Sequence, residues 1–545
     1  MKPQIVIFWS RLDFRLNDNP GLFAAASFAR ENQIPFLPIL VLDTNILNDP
    51  SNNNGYPRRH YIAQAIAHFS ANFPYYLIFK NNDPATIWSK ISQKYTINLY
   101  TNLNPEPYQI KRDQSVKKIL EEAGSSYFTY RDQLTIDPKT VSGSGNIYSV
   151  FTPFRNNVLE SFLNAKVTPI AKVDDLSYFT DFNDFNNVGE FILAGKQTIY
   201  GKDFSNEAVT QNQNSKLSKE IFSLIDTPWT LQIQTHTKSE TNLDILQNHI
   251  QQIPYLKLKQ DDSKNYILYD LDQLFERPNL TQWDYSEAQA LKRLEKFNSD
   301  FILNYKVGRD ALDTDGFESS GTSRLSPALK WGLISARTMA QKIIQTHGDP
   351  RENESVFAYI SELIWREFYK YILFHHPKVL NEEFQLKYRD KISWKDDLEG
   401  LDLFTKWLTG STGYKLVDAA MFEIRKIGWM HNRARMVVGS VLTKNLGVDW
   451  RWGQEAFRAL LVDLDEASNN GGWQWAASTG ADPKPIRIFN PYLQAQKYDS
   501  NNNYIKTWLP ESYNLTSPVI EHPIARQEAL VRYGLGTGFS GARDY

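Results

Sequence analysis

The first 135 residues alternate between short β-rich runs and helical segments, and this alternation constrains the fold more than any other feature. Runs rich in β-branched and aromatic residues lie at 5–10, 36–43, 75–81, 97–103 and 126–132. Helix-forming stretches separate them, the last closed by Gly124. The pattern predicts a doubly wound parallel sheet with helices on both faces. The first turn, SRLDFRLND, lacks the dinucleotide fingerprint G-x-G-x-x-G, although the carboxyl ends of the strands still offer a crevice for a nucleotide-like ligand.

The remaining chain changes character twice. Between about 136 and 285 the periodicity fades, with a flexible SGSGN turn and a polar stretch at 206–220 that indicate a connector with scattered helices. Helical periodicity returns from about 286. At 545 residues the chain is also too long for one core. The sequence therefore predicts an α/β plus all-α protein with an α/β domain (1–135), a connector (136–285) and an all-helical domain (286–545).

Composition excludes several classes of protein. No apolar run reaches the length of a membrane span, and the N-terminus has the pattern of a strand, so neither a membrane protein nor a signal peptide is predicted and a cytoplasmic location is the default. The absence of cysteine excludes disulfides and thiolate metal sites. Because the net charge is −2, any site for a polyanion must be a local basic patch. The 13% aromatic content indicates either stacking surfaces for flat ligands or large aromatic cores.

The stretch DLDEASNNGGWQWAASTG at 463–480 concentrates carboxylates, amides, glycines and two tryptophans. Asn-Asn-Gly-Gly predicts a break in regular structure, because Asn and Gly tolerate positive φ and Asn competes for backbone hydrogen bonds. Trp473 and Trp475 follow at a spacing that fills space on both sides of a short irregular segment. A functional loop and a buried turn that merely packs are both compatible with these residues.

The motif GTSRLSPALKWG at 321–332 places hydroxyl groups just before a helical stretch. Pro327 fits the first turn of that helix. Hydroxyls and free N–H groups at a helix N-terminus suit a phosphate or pyrophosphate, but a simple N-cap needs only one hydroxyl. Arg324 and the upstream Tyr305 and Arg309 favour an anionic ligand.

The helical segment at 361–377 carries an unusual stripe. Glu362, Trp365, Arg366 and Tyr369 lie at i, i+3, i+4 and i+7, so they share one face. A carboxylate, an indole, a guanidinium and a phenol together indicate a functional face. The alternative is an internal Glu362–Arg366 pair flanked by aromatic residues.

The segment at 424–442 is a third candidate. Asn432, Arg435 and Met436 share a helix face, and a cluster with interleaved Trp429 can hold phosphates, although a charge run is more often hydrated surface. His431 lacks metal-ligand neighbours, so no metal site is predicted. The basic cluster comprises Arg425, Lys426, Arg433 and Arg435.

Four motifs together resemble the photolyase/cryptochrome family, and are most similar to class I cyclobutane pyrimidine dimer photolyases. They are ELIWREF (362–368), GWMHNRARM (428–436), NNGGWQWAASTG (469–480) and RIFNP (487–491), in the family's order. The resemblance extends over nearly the whole chain, from 10–20 to 508–511. It implies an N-terminal antenna domain, a connector and a helical domain that holds a U-shaped FAD.

The resemblance also implies how FAD is bound. Asp463 would pair with Arg435 near the flavin, and Asp465 would lie beside the isoalloxazine and ribose. Asn469 would sit at flavin N5, where a neutral amide adds no negative charge next to the anionic reduced ring. The implied FAD contacts are Tyr305, Thr322, Ser323, Arg324, Leu325, Ser326, Arg366, Arg435, Asp463, Leu464, Asp465 and Asn469.

The implied reaction is light-driven electron transfer from reduced FAD to a cyclobutane dimer flipped out of UV-damaged DNA, performed by a monomer. Glu362 would hydrogen-bond the dimer, Asn432 would contact a base edge, and Trp365 and Trp475 would stack the bases above Met436. The implied DNA contacts are Arg309, Glu362, Trp365, Tyr369, Asn432, Arg433, Arg487 and Gln494.

Trp394, Trp450 and Trp473 match the family's electron-transfer chain, which reduces oxidised flavin from the surface. Their spacing alone would not reveal this role, since each tryptophan also fits a core position. The assignment rests on the resemblance.

The antenna chromophore is less certain from the sequence. Tyr108 and Gln109 stand where folate-binding members have an Asn-Glu pair, and Asn381 replaces a pterin-contacting lysine. The Glu-Pro-Tyr form is closer to deazaflavin-binding members, which favours a deazaflavin over a folate; a flavin or an empty pocket stay open. The residues implicated by that likeness are Arg11, Asp43 and Glu106.

Two other functions stay open. A cryptochrome-type photoreceptor usually needs a long polar C-terminal extension, whereas about thirty residues follow WLPE here. A (6-4) photolyase typically has two histidines near the lesion, where this chain has His431-Asn432 and Met436. The loss of acid–base capacity argues against (6-4) repair.

Overall fold

A six-stranded sheet organises the N-terminal part of the chain. The computed structural model describes residues 2–43, 46, 54–79, 83–196, 207–235, 240–261, 264–312, 321–481 and 486–536. The sheet has the order β5-β4-β1-β2-β3-β6; the first five strands run parallel and β6 is antiparallel to β3. The strands are β1 (Gln4–Ser10), β2 (Phe36–Val41), β3 (Tyr76–Phe79), β4 (Thr96–Leu103), β5 (Ser126–Arg131) and β6 (Phe191–Ala194).

The predicted doubly wound α/β sheet is confirmed, and each predicted run forms a strand. Lys80 and Asn81, at the end of the third run, lie outside the described residues. Every residue of β1 after Gln4 is buried, because helices cover both faces of a parallel sheet. The helices of this part of the chain are α1 (Pro20–Asn32), α2 (Tyr56–Ser70), α3 (Pro84–Lys94) and α4 (Pro107–Glu122); α5 (Phe151–Leu163) follows and packs mainly against helices of the C-terminal part.

The region predicted as a connector contains a second sheet that the sequence pattern did not reveal. Three antiparallel strands have the order β7-β9-β8. Trp229, just before β7, donates its indole N–H to the Ala459 carbonyl at 2.8 Å and ties this sheet to the helical domain. The predicted domain limits stay predictions, and β6 joins the first sheet from within the range 136–285. The elements are α6 (Glu207–Ile225), β7 (Thr230–Thr235), α7 (Glu240–Ile250), β8 (Leu256–Asp261), β9 (Lys264–Asp270) and α8 (Leu271–Leu274).

The C-terminal part is helical, as predicted. Throughout the described ranges, no helix combines the length and apolarity needed to cross a bilayer. The helices are α9 (Glu287–Asp300), α10 (Tyr305–Gly308), α11 (Ser326–Lys330), α12 (Ala336–His347), α13 (Glu354–His375), α14 (Leu398–Thr409), α15 (Lys415–Ile427), α16 (Asn432–Ser440), α17 (Trp450–Leu460), α18 (Glu466–Ala476), α19 (Pro491–Tyr498), α20 (Asn503–Trp508) and α21 (His522–Arg532).

The predicted break at Asn-Asn-Gly-Gly is wrong, because helix α18 runs through it without interruption. Asp465 caps the helix by accepting from the Ser468 amide. Asn470 donates outward to the Val379 carbonyl at 2.8 Å and therefore does not compete for its own backbone. Gly471 serves close packing: a Cβ there would lie 2.1 Å from Cδ1 of Tyr369 on α13.

A buried ion network joins the first sheet to the helical domain. Arg337 donates to Asp18 at 3.0 Å and to Asp132 at 2.8 Å, and all three side chains are at most 8% exposed. Arg15 pairs with the same Asp132 and donates to the Gly332 carbonyl. Buried charges are tolerated only when paired in this way, so the network fixes the two parts of the chain against each other.

Candidate functional site

A cavity of about 520 Å³ lies among α13, α16 and α18 in the helical domain. This volume is within the range of cofactor sites. The cavity brings together most of the residues that the sequence implicated. Those that line it are Tyr305, Arg309, Ser323, Ser326, Glu362, Trp365, Arg366, Tyr369, Asn432, Arg435, Met436, Asp463, Leu464, Asp465, Asn469, Trp473 and Trp475.

Helix α13 presents the predicted stripe to the cavity. Glu362, Trp365, Arg366 and Tyr369 all line it, as their helical spacing requires. The internal Glu362–Arg366 pair is not what the structure shows. Glu362 accepts from Arg309 at 2.5 Å, whereas Arg366 donates to a backbone carbonyl at 2.9 Å.

Asp463 and Arg435 form the predicted pair. The Arg435 guanidinium donates to Asp463 at 2.9 Å, and the Ser326 hydroxyl donates to the same carboxylate at 2.6 Å. Asp463 is buried, so these two donors satisfy a carboxylate that water does not reach freely. The pair holds the side chains of α16 and α11 in place at one wall of the cavity.

Two lysines beside Asp465 were missed by the sequence analysis. Lys370 donates to Asp465 at 2.5 Å, and Lys330 lies 4.0 Å from the same carboxylate. Burial raises the pKa of Asp465, but Lys370, Lys330 and Arg366 outweigh burial and lower that pKa well below its usual range. The sequence did contain a signal for Lys370, because this residue lies four positions after Arg366 and so extends the Glu362–Arg366 stripe along α13.

Asn469 and Gly472 shape the wall formed by α18. The Asn469 amide nitrogen donates to the Gln454 carbonyl at 3.1 Å, which fixes the side chain. A Cβ on Gly472 would meet nothing within 4 Å, so this glycine leaves open space on the cavity side of the helix. The wall therefore offers a fixed neutral amide beside an uncrowded backbone.

The segment at 322–326 is divided between two places. Ser323 accepts from the Tyr359 hydroxyl at 2.9 Å and lines the cavity with Ser326. Thr322 and Arg324 line a second cleft of about 370 Å³, which Ser323 also lines, and Leu325 is buried in the core. Pro327 occupies the first turn as predicted, but α11 has no side-chain N-cap and spans five residues.

Aromatic side chains frame the mouth of the cavity. Trp365 stacks on Phe151 with ring centroids 3.6 Å apart and planes 9° from parallel. Trp475 lies under the Arg487 guanidinium at 5.0 Å. Asn432 is exposed at the start of α16 and lines the same cavity.

A groove of about 740 Å³ continues from the cavity, since Met436 and Trp475 line both. Of the predicted basic cluster, Arg433 alone lines this groove. Arg425 is half-buried, and desolvation lowers its pKa to about 10; its guanidinium packs on Phe422 at 4.1 Å. The cluster is therefore not one surface. Predicted DNA contacts that do line the groove are Arg433, Arg487 and Gln494.

His431 has a structural role as the N-cap of α16. Its Nδ1 accepts from the Arg433 amide and caps α16. Burial, followed by the charge of Arg324, lowers the pKa of His431 to about 3, so the ring is neutral at physiological pH. Among the described residues, no group of three or more His, Asp and Glu side chains is arranged to hold a metal ion.

The three tryptophans implied as an electron chain differ in burial. Trp473 lines the cavity and is 3% exposed, Trp450 is fully buried, and Trp394 is partly exposed against Tyr533. Trp450 donates its indole N–H to Glu383 at 3.3 Å. Trp473 therefore lies at the cavity wall and Trp394 lies nearest to solvent, and electron transfer through the three residues stays a prediction.

The predicted antenna residues separate into two groups. Arg11 pairs with Asp113 at 2.6 Å and Asp43 pairs with Arg112 at 3.1 Å, and Arg112 joins the two pairs through Asp113. Glu106 lies apart from this network. Its carboxylate is 3.6 Å from Lys330, the lysine that also approaches Asp465.

Comparison with known families decides the relationship. The family "DNA photolyase" matches residues 6–173, and "FAD binding domain of DNA photolyase" matches residues 359–542. A deoxyribodipyrimidine photo-lyase of Synechococcus is 32% identical over 514 residues, which cover 93% of this chain and 88% of the relative. The chain belongs to the photolyase/cryptochrome family. The polar lining of the cavity fits a photolyase-family FAD, and its lining residues from Tyr359 onward lie within the FAD-binding match, whereas those of α10 and α11 precede it.

Other photolyases match over shorter or more divergent stretches. The enzyme of Escherichia coli is 38% identical over 238 residues, covering 44% of this chain and 49% of the relative. A class III photolyase of Agrobacterium tumefaciens has a TM-score of 0.69 at 26% identity and covers 98% of both chains. A cryptochrome of Synechocystis shares the fold, with a TM-score of 0.67 at 22% identity over 100% of this chain and 96% of its own.

Proposed function

We propose that this protein is a deoxyribodipyrimidine photo-lyase that splits cyclobutane pyrimidine dimers in UV-damaged DNA with reduced FAD and blue light. One observation carries the proposal: a single cavity joins the polar wall suited to a flavin to an aromatic mouth suited to flipped bases. The Synechococcus relative, aligned over 93% of the chain, bears the same enzyme name.

When bound and reduced, FAD supplies a light-excited electron donor, which no protein side chain can replace. The chain would hold its polar groups with Tyr305, Ser323 and Ser326. Arg435, held by Asp463, would face the flavin, and Asp465 would lie beside the ring and ribose. The further contacts of this proposal are Thr322, Arg324, Leu325, Arg366 and Leu464, of which Arg366 and Leu464 line the cavity.

Asn469 would keep the flavin electron-rich. Its amide nitrogen already donates to Gln454, so a cofactor in the cavity would meet the amide oxygen. A neutral acceptor can hydrogen-bond a reduced ring without the repulsion that a carboxylate would add. The nearby positive charges of Lys330, Lys370 and Arg366 outnumber Asp465, which favours an anionic ring in the same place.

The mouth would bind the flipped dimer. Trp365, supported by Phe151, and Trp475 would stack the extruded bases, as aromatic faces do for any base. Glu362 would hydrogen-bond the dimer and Asn432 would reach a base edge from its exposed position. Met436 lies on α16 at the base of this mouth.

DNA outside the mouth would follow the basic groove. Arg433, Arg487 and Gln494 line it, and phosphate contacts from arginines position a duplex without reading its sequence. Arg309 and Tyr369, which line the cavity, would contact the strand beside the lesion. Trp394, Trp450 and Trp473 would carry electrons from the surface to oxidised flavin.

Finer assignments are part of the same proposal. Class I membership rests on the motifs, and a deazaflavin antenna is favoured over a folate on the Glu106-Pro107-Tyr108 form. We also propose that the protein is a monomer and that it is located in the cytoplasm. An absorption spectrum of the purified protein checks the antenna: a deazaflavin or folate band should accompany that of FAD.

A repair assay tests the proposal. Purified protein is incubated with DNA carrying either a cyclobutane dimer or a (6-4) product, under blue light and in darkness, and restored thymines are counted. We expect light-dependent repair of the cyclobutane dimer alone. Glu362→Ala should lower that rate about tenfold, because a hydrogen bond that positions the dimer is lost. Repair of (6-4) products only, or of neither lesion, would refute the proposal.

A further inference from the structure

Two adjacent residues just after α10 form ion pairs of opposite polarity: the pair of the first lines the cavity, and the partner of the second lines the groove. Arg309 donates to Glu362 at 2.5 Å, and the next residue, Asp310, accepts from Arg433 at 2.7 Å. One pair covers a carboxylate proposed to bind the lesion. The other covers an arginine proposed to bind DNA phosphate.

The segment that carries both charges is anchored at each end. Arg309 N–H bonds to the Tyr305 carbonyl at 2.9 Å and closes the last turn of α10. Leu312 N–H bonds to the Tyr498 carbonyl at 2.8 Å, at the end of α19. Because Arg309 and Asp310 are consecutive residues in this short anchored segment, a shift of Arg309 moves Asp310 as well.

Arg433 is poised for a second acceptor. Its side chain is 11% exposed, and its Nε is buried without a hydrogen-bond partner among the residues that the structure describes. Its guanidinium stacks on Tyr498 at 4.2 Å and lines the groove. A guanidinium carries five donors, and in the described part of the chain Asp310 is the only ion-pair partner of Arg433, which leaves donors available.

From this geometry we infer that Asp310 is a specificity residue, which restrains Arg433 until a flipped base displaces Arg309 from Glu362. This inference rests on the proposed function. With undamaged DNA nothing enters the cavity, so the Asp310 carboxylate stays beside Arg433 and repels an approaching phosphate. With a lesion, entry moves the Arg309–Asp310 turn and withdraws the carboxylate. Arg433 can then bind phosphate, so lesion entry and backbone binding favour each other.

The test compares affinities of the full FAD-containing protein for two duplexes, one with a single cyclobutane dimer and one undamaged, over a series of NaCl concentrations. Asp310→Asn removes the carboxylate but keeps the size of the side chain. We expect affinity for undamaged DNA to rise about fivefold and its salt slope to steepen by about 0.9, the value for one added phosphate contact. Affinity for the damaged duplex should rise less than about twofold.

Three further variants test whether the change in affinity depends on the Asp310 carboxylate and on Arg433. Asp402→Asn makes the same charge change on α14, where Asp402 pairs with Lys406 on the surface. It should not change the ratio of the affinities for the undamaged and the damaged duplex. Asp310→Glu keeps the carboxylate and should retain most of the discrimination. In the double variant Asp310→Asn/Arg433→Gln, the gain on undamaged DNA should disappear, because it depends on Arg433. Unfolding temperature and FAD content confirm that each variant is folded.

Equal gains on both duplexes in Asp310→Asn would overturn the inference, because they would reflect net charge alone. So would unchanged affinities, or a gain that survives the loss of Arg433. A wild-type protein with no preference for the damaged duplex would refute the proposed function and the inference with it. A wild-type preference that Asp310→Asn leaves intact would overturn the inference alone.

Discussion

At the scale of single residues, the site depends on charges that are paired before any ligand arrives. Asp463 is held by Arg435 and Ser326, and Asp465 is held by Lys370. Preorganised partners need no rearrangement when a cofactor binds, which is the main way that a fixed polar site gains affinity. The same principle explains why buried carboxylates elsewhere in the domain should control its stability.

Glu423 provides a test by pH. It accepts from the Tyr504 hydroxyl at 2.6 Å, and burial raises its pKa from 4.5 to about 7. Because the pKa of Glu423 is higher in the folded state than in the unfolded state, its contribution to stability is fully present below pH 4.5. That contribution is lost as the pH rises through 7. Glu423→Gln keeps an acceptor without this loss. Its free energy of unfolding, relative to wild type, should increase by up to about 3 kcal/mol between these pH values.

Urea unfolding at a series of pH values measures this difference. The exposed Glu511→Gln is the matched control and should show no such trend. His431 contributes in the opposite direction, because its pKa is lowered to about 3, but it is present in both proteins and cancels in the comparison. A Glu423→Gln difference that stays constant from acid to neutral pH would contradict the assignment.

Sequence reasoning found most site residues but not how they pair. The helical stripe from Glu362 to Tyr369 was predictable, because periodicity fixes which side chains share a face. The partner of Glu362 was not, since Arg309 is 53 residues away in sequence. Lys330 was missed for the same reason: its proximity to Asp465 arises only when the end of α11 comes close to the start of α18.

At the scale of elements, α18 shows how tertiary packing overrides local preference. Asn-Asn-Gly-Gly disfavours a helix in isolation. In the folded chain the amides bond to neighbouring elements, and Gly471 lets the Tyr369 ring approach the helix backbone. Gly471 therefore allows a close packing contact and Gly472 leaves space at the cavity wall, and neither glycine forms a turn.

Gly471 and Gly472 are a matched pair for testing this explanation. Gly471→Ala places a methyl group 2.1 Å from the Tyr369 ring, so it should destabilise the protein by about 1–3 kcal/mol. Gly472→Ala meets nothing within 4 Å and should leave stability nearly unchanged or slightly raised. Chemical denaturation measures both. Equal effects of the two substitutions would show that the ring contact does not matter.

The two sheets differ in how well the sequence reveals them. Strands β1 to β5 were predicted because runs rich in β-branched and aromatic residues alternate with helical segments. Of these, β1 to β3 are buried along almost their whole length, as expected for a sheet covered on both faces. Strands β7 to β9 mix apolar with polar residues, as in TLQIQT and LKLKQD, and lie among polar segments. Their alternation is too short to stand out until antiparallel pairing brings the strands together.

At the scale of the whole molecule, the buried ion network couples the two main parts. Arg337→Met leaves Asp18 and Asp132 without their shared partner and should cost about 3–5 kcal/mol. Arg351→Met is the control, because that arginine pairs with Asp349 but is 50% exposed. Thermal unfolding should show a large loss for the first and almost none for the second. Similar small losses would mean that the network does not hold the domains together.

The central claim is that one cavity holds flavin and flipped dimer in contact. The fluorescence lifetime of bound reduced flavin tests this directly, because electron transfer to a neighbouring dimer competes with emission. A saturating duplex with a cyclobutane dimer should shorten the lifetime, and the same duplex without the dimer should not. An unchanged lifetime with the damaged duplex fully bound would contradict the account.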